Sequence, residues 1–284
     1  MVLAQDSNER VYTALSLYVA AQQARERAAL SQASYKDMSH FEWIMEERVN
    51  GGVSDMSDLN VLRQKLAEIR SNQNAQSETA AASFAELNAM SIKKLNGLSG
   101  MSQVPVRVDA ARPLTVMLAE AEKERAVAEA VIARVGLLPG LGVSGSTGTG
   151  GTNGPTLTAS GDSNIGFGTP ANLKAVEAAK EGAGRKVSQA QEEASRRLAR
   201  LEQEANAAER QAAEAQRLTV QAKQNLDLFQ NQYDAGQRQV MDVVGVYETF
   251  ASAQQSEVES KYRAVLSRLA IAQELGLLAD GSGI

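Results

Sequence analysis

A chain of 284 residues that is 43% apolar but only 4% aromatic, with five prolines and no cysteine, excludes a disulfide framework and a cysteine-based metal site. Ala, Gln, Glu, Arg and Leu dominate, which is the usage of long helices and coiled coils rather than of an ordinary globular core. The net charge of −5 offers no strongly basic face for nucleic acid, and no apolar run of about 20 residues is present to cross a bilayer as a helix.

Residues 7–48 contain no Gly or Pro and carry Val11, Leu15, Tyr18 and Val19 at helical spacing, so they predict one long helix. Asn50-Gly51-Gly52 breaks it. A second helix is expected from Asp55 to Leu95, with Leu59, Leu62, Leu66 and Ile69 on one side, ended by Asn96-Gly97 and Gly100. A linker follows over 101–112, then a shorter helix from Pro113 to Arg134 with proline in its first turn.

Residues 136–170 change character and hold much of the glycine. Leu141 and Val143 alternate onto one face, and Leu157, Ile165 and Phe167 suggest a returning strand or two. The segment reads as a β-hairpin with a loop near 147–155. A low-complexity linker is the competing reading.

The longest helix is expected from Asn172 to Asp234. Its seam of Leu198, Leu201, Ala205, Ala208, Ala212, Ala215, Thr219, Ala222, Leu226 and Phe229 steps by three and four, a seven-residue repeat that implies helix-on-helix packing. A final helix is expected from Gln239 to Leu275, ended by Gly276. The chain therefore divides into a helical hairpin (1–100), a linker and short helix (101–135), the Gly-rich β-hairpin (136–170) and a second long helical hairpin (171–284).

One stretch occurs twice. Setting Asp58 on Asp242 also sets Gly52 on Gly236, 184 positions apart in both cases. In each copy a helical pattern runs in, glycine supplies the backbone freedom that stops it, and an aspartate six residues on sits at the start of the next helix. A carboxylate there faces the positive end of the helix dipole, worth about 0.3–1 kcal/mol. The chain reads as two related αα-hairpins.

At these residues the chain resembles the TolC family of outer-membrane efflux and secretion ducts. Tyr233, Gly236, Arg238, Asp242 and Val243 are similar to that family's second helical turn, and Gly52 to Asp58 to its first. Ala133 to Pro139 resembles the entry to its second β-hairpin, and Tyr262-Arg263 through Leu278 its closing stretch. The resemblance implies a mainly α fold, a coiled-coil α-barrel segment with one small β-hairpin of a transmembrane β-barrel. It implies a homotrimer in the outer membrane, with the helices in the periplasm. Partners would be outer-membrane lipid, a periplasmic adaptor and an inner-membrane pump, in efflux or type I secretion.

The resemblance also implies site roles. Tyr233 and Arg238 would tie to Asp58 and its neighbour Ser57, as hydroxyl and guanidinium donors to a carboxylate. Three copies of Asp242 would form an acidic constriction favouring cations. Gly245 takes the place of a second acidic residue there. Gly51, Gly52 and Gly236 would make the turns. Relative to the family the chain begins inside the first long helix. No signal peptide is recognised in residues 1–20, and the family's first helix and first β-hairpin are missing, so a trimer would have six barrel strands in place of twelve.

Asp58 and Asp242 can be plain helix N-terminal carboxylates. His40, the single histidine, reads as a surface residue, and Trp43 as packing. Gly140 to Gly145 matches Gly-x-Gly-x-x-Gly without the strand before it and helix after it that a dinucleotide site requires. No Ser/His/Asp or Cys/His set is present. No enzyme, metal or cofactor is expected. The rival function is a non-transport structural or adaptor coiled coil with 136–170 as a disordered linker.

Overall fold

The computed structural model describes residues 2–95, 113–135, 142–144, 156–158 and 169–278. Its elements are α1 (Val2–Asn50), α2 (Met56–Met90), α3 (Leu114–Val135), β1 (Gly142–Ser144), β2 (Thr156–Thr158), α4 (Thr169–Asp234) and α5 (Val240–Glu274). They fall into two compact units: one of Met1–Val2 and Arg112–Arg197, the other of Leu3–Ala111 and Leu198–Ile284.

The first unit holds α3, the strands and the start of α4. Pro113 precedes α3, and its carbonyl accepts the amides of Val116 and Met117 at 3.0 and 3.2 Å. A proline at the mouth of a helix costs no hydrogen bond, because amides there have no partner within the helix. β1 and β2 pair antiparallel, with Gly142 opposite Thr158, Val143 opposite Leu157 and Ser144 opposite Thr156. The loop expected near 147–155, and Ile165 and Phe167, lie outside the described residues. Ala119, Ala126, Ala179, Gly182 and Ala183 face a shallow groove between α3 and α4.

The second unit is a set of packed helices, and its seams are those the periodicity marks. Ala205, Ala208 and Leu226 are buried on α4, and every other residue of the predicted seam is at least partly buried. On α2 Leu59, Leu62 and Leu66 are buried, as predicted. The largest core joins Met38, Phe41 and Met45 of α1, these α2 leucines, Leu226 of α4, and Val240, Val243, Val244 and Tyr247 of α5. Farther along, Val19 meets Val258 and Tyr262, and Val11, Tyr12 and Leu15 surround Leu269, Ala272 and Leu278.

Polar side chains set the register between α1 and α5. The Asn8 amide donates to the Gln273 carbonyl at 2.7 Å, Tyr262 donates to Glu26 at 2.8 Å, and Tyr247 donates to Asp37 at 2.8 Å. Gln255 donates to the Arg27 carbonyl at 3.2 Å and to Ser31 at 3.3 Å. Residue numbers rise on one helix as they fall on the other, so α1 and α5 run antiparallel. Arg63 of α2 pairs with Glu42 and Glu46 of α1, Lys65 of α2 with Glu248 of α5, and Arg268 of α5 with Glu209 of α4.

Two expectations change. α2 ends at Met90, five residues before Leu95. The Asn88 side chain folds forward and accepts the Leu95 amide at 2.8 Å, while the Asn88 carbonyl accepts the Ser91 amide at 3.2 Å. A side-chain stop thus replaces the expected glycine stop. Trp43 does not pack into the core: it is 60% exposed and stacks on the exposed His40, with ring centroids 6.1 Å apart.

Candidate functional site at the paired helical turns

Both turns are the same backbone device. In the first, the Gly51 amide reaches the Glu47 carbonyl at 3.0 Å, Gly52 reaches Val49 at 2.9 Å and Val53 reaches Arg48 at 2.8 Å. In the second, Ala235 reaches Asn231 at 3.1 Å, Gly236 reaches Tyr233 at 2.8 Å and Gln237 reaches Gln232 at 2.8 Å. Each bond maps onto its counterpart by the 184-residue shift. This is the Schellman arrangement, which closes the last carbonyls of a helix and needs a left-handed residue at the bend. Gly52 and Gly236 provide it, at φ +73° and +72°. Gly51 does not have a positive φ, and alanine stands at the equivalent position 235.

The core places the two bends at one end of the second unit. Val49 and Tyr233, next to the bends, and Val240 and Leu59, just beyond them, all pack in the same apolar cluster. The twin turns of the sequence are therefore neighbours in space.

Each bend is also crossed by a side-chain bond six residues long. Arg48 Nε donates to Ser54 Oγ at 3.0 Å, and Arg238 Nε donates to Gln232 Oε1 at 3.0 Å. Position 48 corresponds to 232, and 54 to 238. The same two positions are bridged, with the arginine on opposite ends. Arg238 additionally lies 4.5 Å over the Phe229 ring, a cation–π contact.

The two aspartates occupy the same helical position but differ in what they do. Asp242 Oδ2 accepts the Gln239 amide at 3.1 Å and caps α5. Asp58 is half-buried and makes no hydrogen bond or ion pair among the described residues, and Asp55 before it gives α2 no side-chain cap. Within the chain Arg238 is held by Gln232 and Phe229, not by Asp58 or Ser57. Tyr233 is half-buried at the edge of the core, its hydroxyl making no hydrogen bond among the described residues, and Ser57, Arg238 and Asp242 are exposed. The site thus presents an acceptor, Asp58, and donors, Tyr233 and Arg238, at one end of the unit.

Sequence reasoning missed Tyr247 and Tyr262. Burial, then the bond to Asp37, pushes the Tyr247 phenol far above its ordinary range, and burial, then the bond to Glu26, does the same for Tyr262. Both stay protonated donors that tie α1 to α5. Among the described residues no cluster of His, Cys, Asp or Glu could hold a metal, and no helix is long and apolar enough to cross a membrane.

The fold has known relatives. A membrane protein from Pseudomonas aeruginosa superposes with a TM-score of 0.74 at 16% identity, over 96% of this chain and 67% of that one. The outer membrane protein VceC of Vibrio cholerae does so at 0.69 and 17%, over 97% and 74%. The open state of the MtrE outer membrane channel of Neisseria gonorrhoeae does so at 0.71 and 15%, over 96% and 67%. At these identities the likeness is one of fold, and the chain spans about two thirds to three quarters of their lengths. Comparison with curated protein sequences gives no match. The family model described as outer membrane efflux protein matches residues 110–277, more than half of the chain. With that match, and with the paired-turn helical architecture in place, the chain belongs to the outer membrane efflux protein family.

Proposed function

We propose that this chain is a protomer of a homotrimeric outer-membrane duct that passes substrate from an inner-membrane exporter, through a periplasmic adaptor, to the cell exterior. The segment 136–170 contributes strands to the barrel, and the paired turns form the periplasmic tip. The observation that carries the reading is the pair of identical bends held side by side, with the half-buried Asp58 carboxylate left without a partner among the described residues.

A half-buried carboxylate without a donor forgoes charge-assisted hydrogen bonds worth roughly 1.5–3 kcal/mol. Tyr233 and the Arg238 of a neighbouring protomer are the donors this end of the unit offers. Linking them to Asp58 and Ser57 narrows the tip, and breaking the link opens it. Asp242, exposed beside the bend, puts one negative charge per protomer at the mouth and favours cations.

Single-channel conductance in planar bilayers tests this. Asp58→Ala and Arg238→Ala raise conductance at fixed salt, and Asp242→Asn lowers the preference for cations. Unchanged conductance in both tip variants removes Asp58 and Arg238 from gating. Detergent-extracted protein that is monomeric under all conditions removes the duct.

A further inference from the structure

Where α5 lies against α1 and α2, the packing is incomplete. A cavity of about 270 Å³ remains between the three helices, lined mostly by polar side chains: Arg27 and Ser31 of α1, Asn72 and Gln76 of α2, Ser252 and Gln255 of α5. Space between coiled helices is ordinarily filled by apolar side chains. The positions 184 residues after Ser31 and Ser34 are Ala215 and Leu218, so the repeat does not itself require hydroxyls there.

Arg27 puts a positive charge on this lining, and no acidic residue lines the cavity with it. One amide holds it in place. Gln255 accepts from Arg27 Nε at 3.0 Å, and donates to the Arg27 carbonyl at 3.2 Å and to Ser31 Oγ at 3.3 Å. Both ends of the Gln255 amide are thereby used, and the half-buried guanidinium keeps its two terminal nitrogens free of any partner among the described residues. The carboxylates nearest to it along α1 are engaged elsewhere, Glu26 by Lys261 and Tyr262, and Asp37 by Tyr247. On the α2 side, the Asn72 and Gln76 amides stand one helical turn apart. Neither they nor the Ser252 hydroxyl make a hydrogen bond among the described residues. Ser34, by contrast, is bonded to the Tyr247 phenol.

A guanidinium, two amides and a hydroxyl, all with donors to spare, thus surround one space that holds no negative charge. Arginine binds carboxylate and phosphate oxygens two at a time, and charge assistance makes such bonds stronger than neutral ones. Amides and hydroxyls can accept as well as donate, but the cation sets the sign of the ligand. We infer that this cavity binds a small oxyanion, a carboxylate or phosphate group, with two of its oxygens on the terminal nitrogens of Arg27 and the Asn72 and Gln76 amides donating from α2. The site is built within a single chain and does not depend on the duct reading.

Sodium phosphate or sodium acetate, titrated against the full chain in detergent at constant ionic strength with chloride as the exchanged ion, tests the site through the thermal midpoint. A ligand that binds only the folded chain raises the midpoint as its concentration passes half-saturation. At least one of the two anions is expected to raise it, and which one responds separates the tetrahedral group from the planar one. Phosphate also stabilises proteins generally, by exclusion from their surfaces, so the deciding comparison is Arg27→Gln, in which the rise is lost. Asn72→Ala combined with Gln76→Ala moves the response to several-fold higher concentration. Gln76→Glu supplies a carboxylate of the chain's own to Arg27. It is expected to raise the midpoint without added anion and to abolish the response, and it decides the matter if Arg27→Gln does not fold. An equal rise in the parent and Arg27→Gln, an undiminished response in Gln76→Glu, or no response to either anion overturns the site.

Discussion

At positions 184 apart, Arg48 donates to Ser54 and Arg238 donates to Gln232, so the two bends carry one bond with its ends exchanged. The surroundings of the bends differ more than the bends do. The groove between α1 and α2, behind the first bend, is filled by α5, and among the described residues nothing fills the groove between α4 and α5 behind the second. A local motif is thus repeated faithfully while the packing around it is completed in different ways. The bend needs a left-handed residue and a bridge across it, and which residue supplies the bridge is free to vary.

The filled and open grooves make the largest expected contrast. Leu62 is fully buried among α1, α2 and α5, so Leu62→Ala costs about 2–5 kcal/mol through lost transfer energy and a residual cavity. Val246, its counterpart on α5, is only partly buried, and Val246→Ala costs roughly 1 kcal/mol. Urea midpoints of the two variants measure the difference. Equal losses would mean the two hairpins are packed alike.

The α1/α5 contact has phenol–carboxylate bonds that its open counterpart lacks, and these respond to pH. The Tyr247 and Tyr262 phenols have folded-state pKa values raised above the unfolded value near 10. Their contribution is fully present below about pH 10 and is lost as pH rises through the folded value. Stability is therefore expected to fall above about pH 10. Tyr262→Phe is expected to cost about 1.5–3 kcal/mol at neutral pH and to flatten that alkaline decline, followed by circular dichroism. A decline of unchanged steepness would assign it to other groups.

Much of the fold was legible because it is written in local periodicity. The α4 seam and the α2 leucines announce which faces are buried, and Gly52 and Gly236 announce the bends. The partners across α1 and α5 were not legible. Tyr247 and Asp37 are 210 residues apart, and Gln255 or Glu26 on a helix reads as a solvated side chain until the neighbour is known. The stop at Asn88 was missed because a side chain reaching seven residues forward leaves no pattern. At the site, both aspartates were legible as helix-start carboxylates. Their difference in capping, with Asp242 engaged and Asp58 not, depends on backbone placement at Gln239 and Asp55 that residue identity does not convey.

Glycine substitutions sharpen the likeness of the bends. Gly52→Ala and Gly236→Ala meet no atom within 4 Å, so their cost is purely the left-handed backbone at φ +73° and +72°, about 1–2 kcal/mol each and equal within error. Gly245→Ala, in a helix with open space around its Cβ position, should instead gain roughly 0.5–1 kcal/mol. Thermal midpoints distinguish the two classes. A neutral Gly236→Ala would show that the second bend tolerates another geometry.

The exchanged arginines give the smallest effect and isolate one contact. Arg48→Ala removes a single bond to a hydroxyl, with an expected loss of about 0.5 kcal/mol. Arg238→Ala removes the equivalent bond and also the guanidinium 4.5 Å above Phe229, which adds about 0.5–1 kcal/mol. The double exchange Gln232→Arg with Arg238→Gln rebuilds the bridge with its donor on the helix side, as in the first bend, and moves the cation off the end from which it covers the ring. If the bridge accounts for the stability of the bend, the exchanged protein matches the parent in urea. If it settles between the parent and Arg238→Ala, the remaining gap is the ring contact alone, because the bond across the bend is present in both parent and exchange.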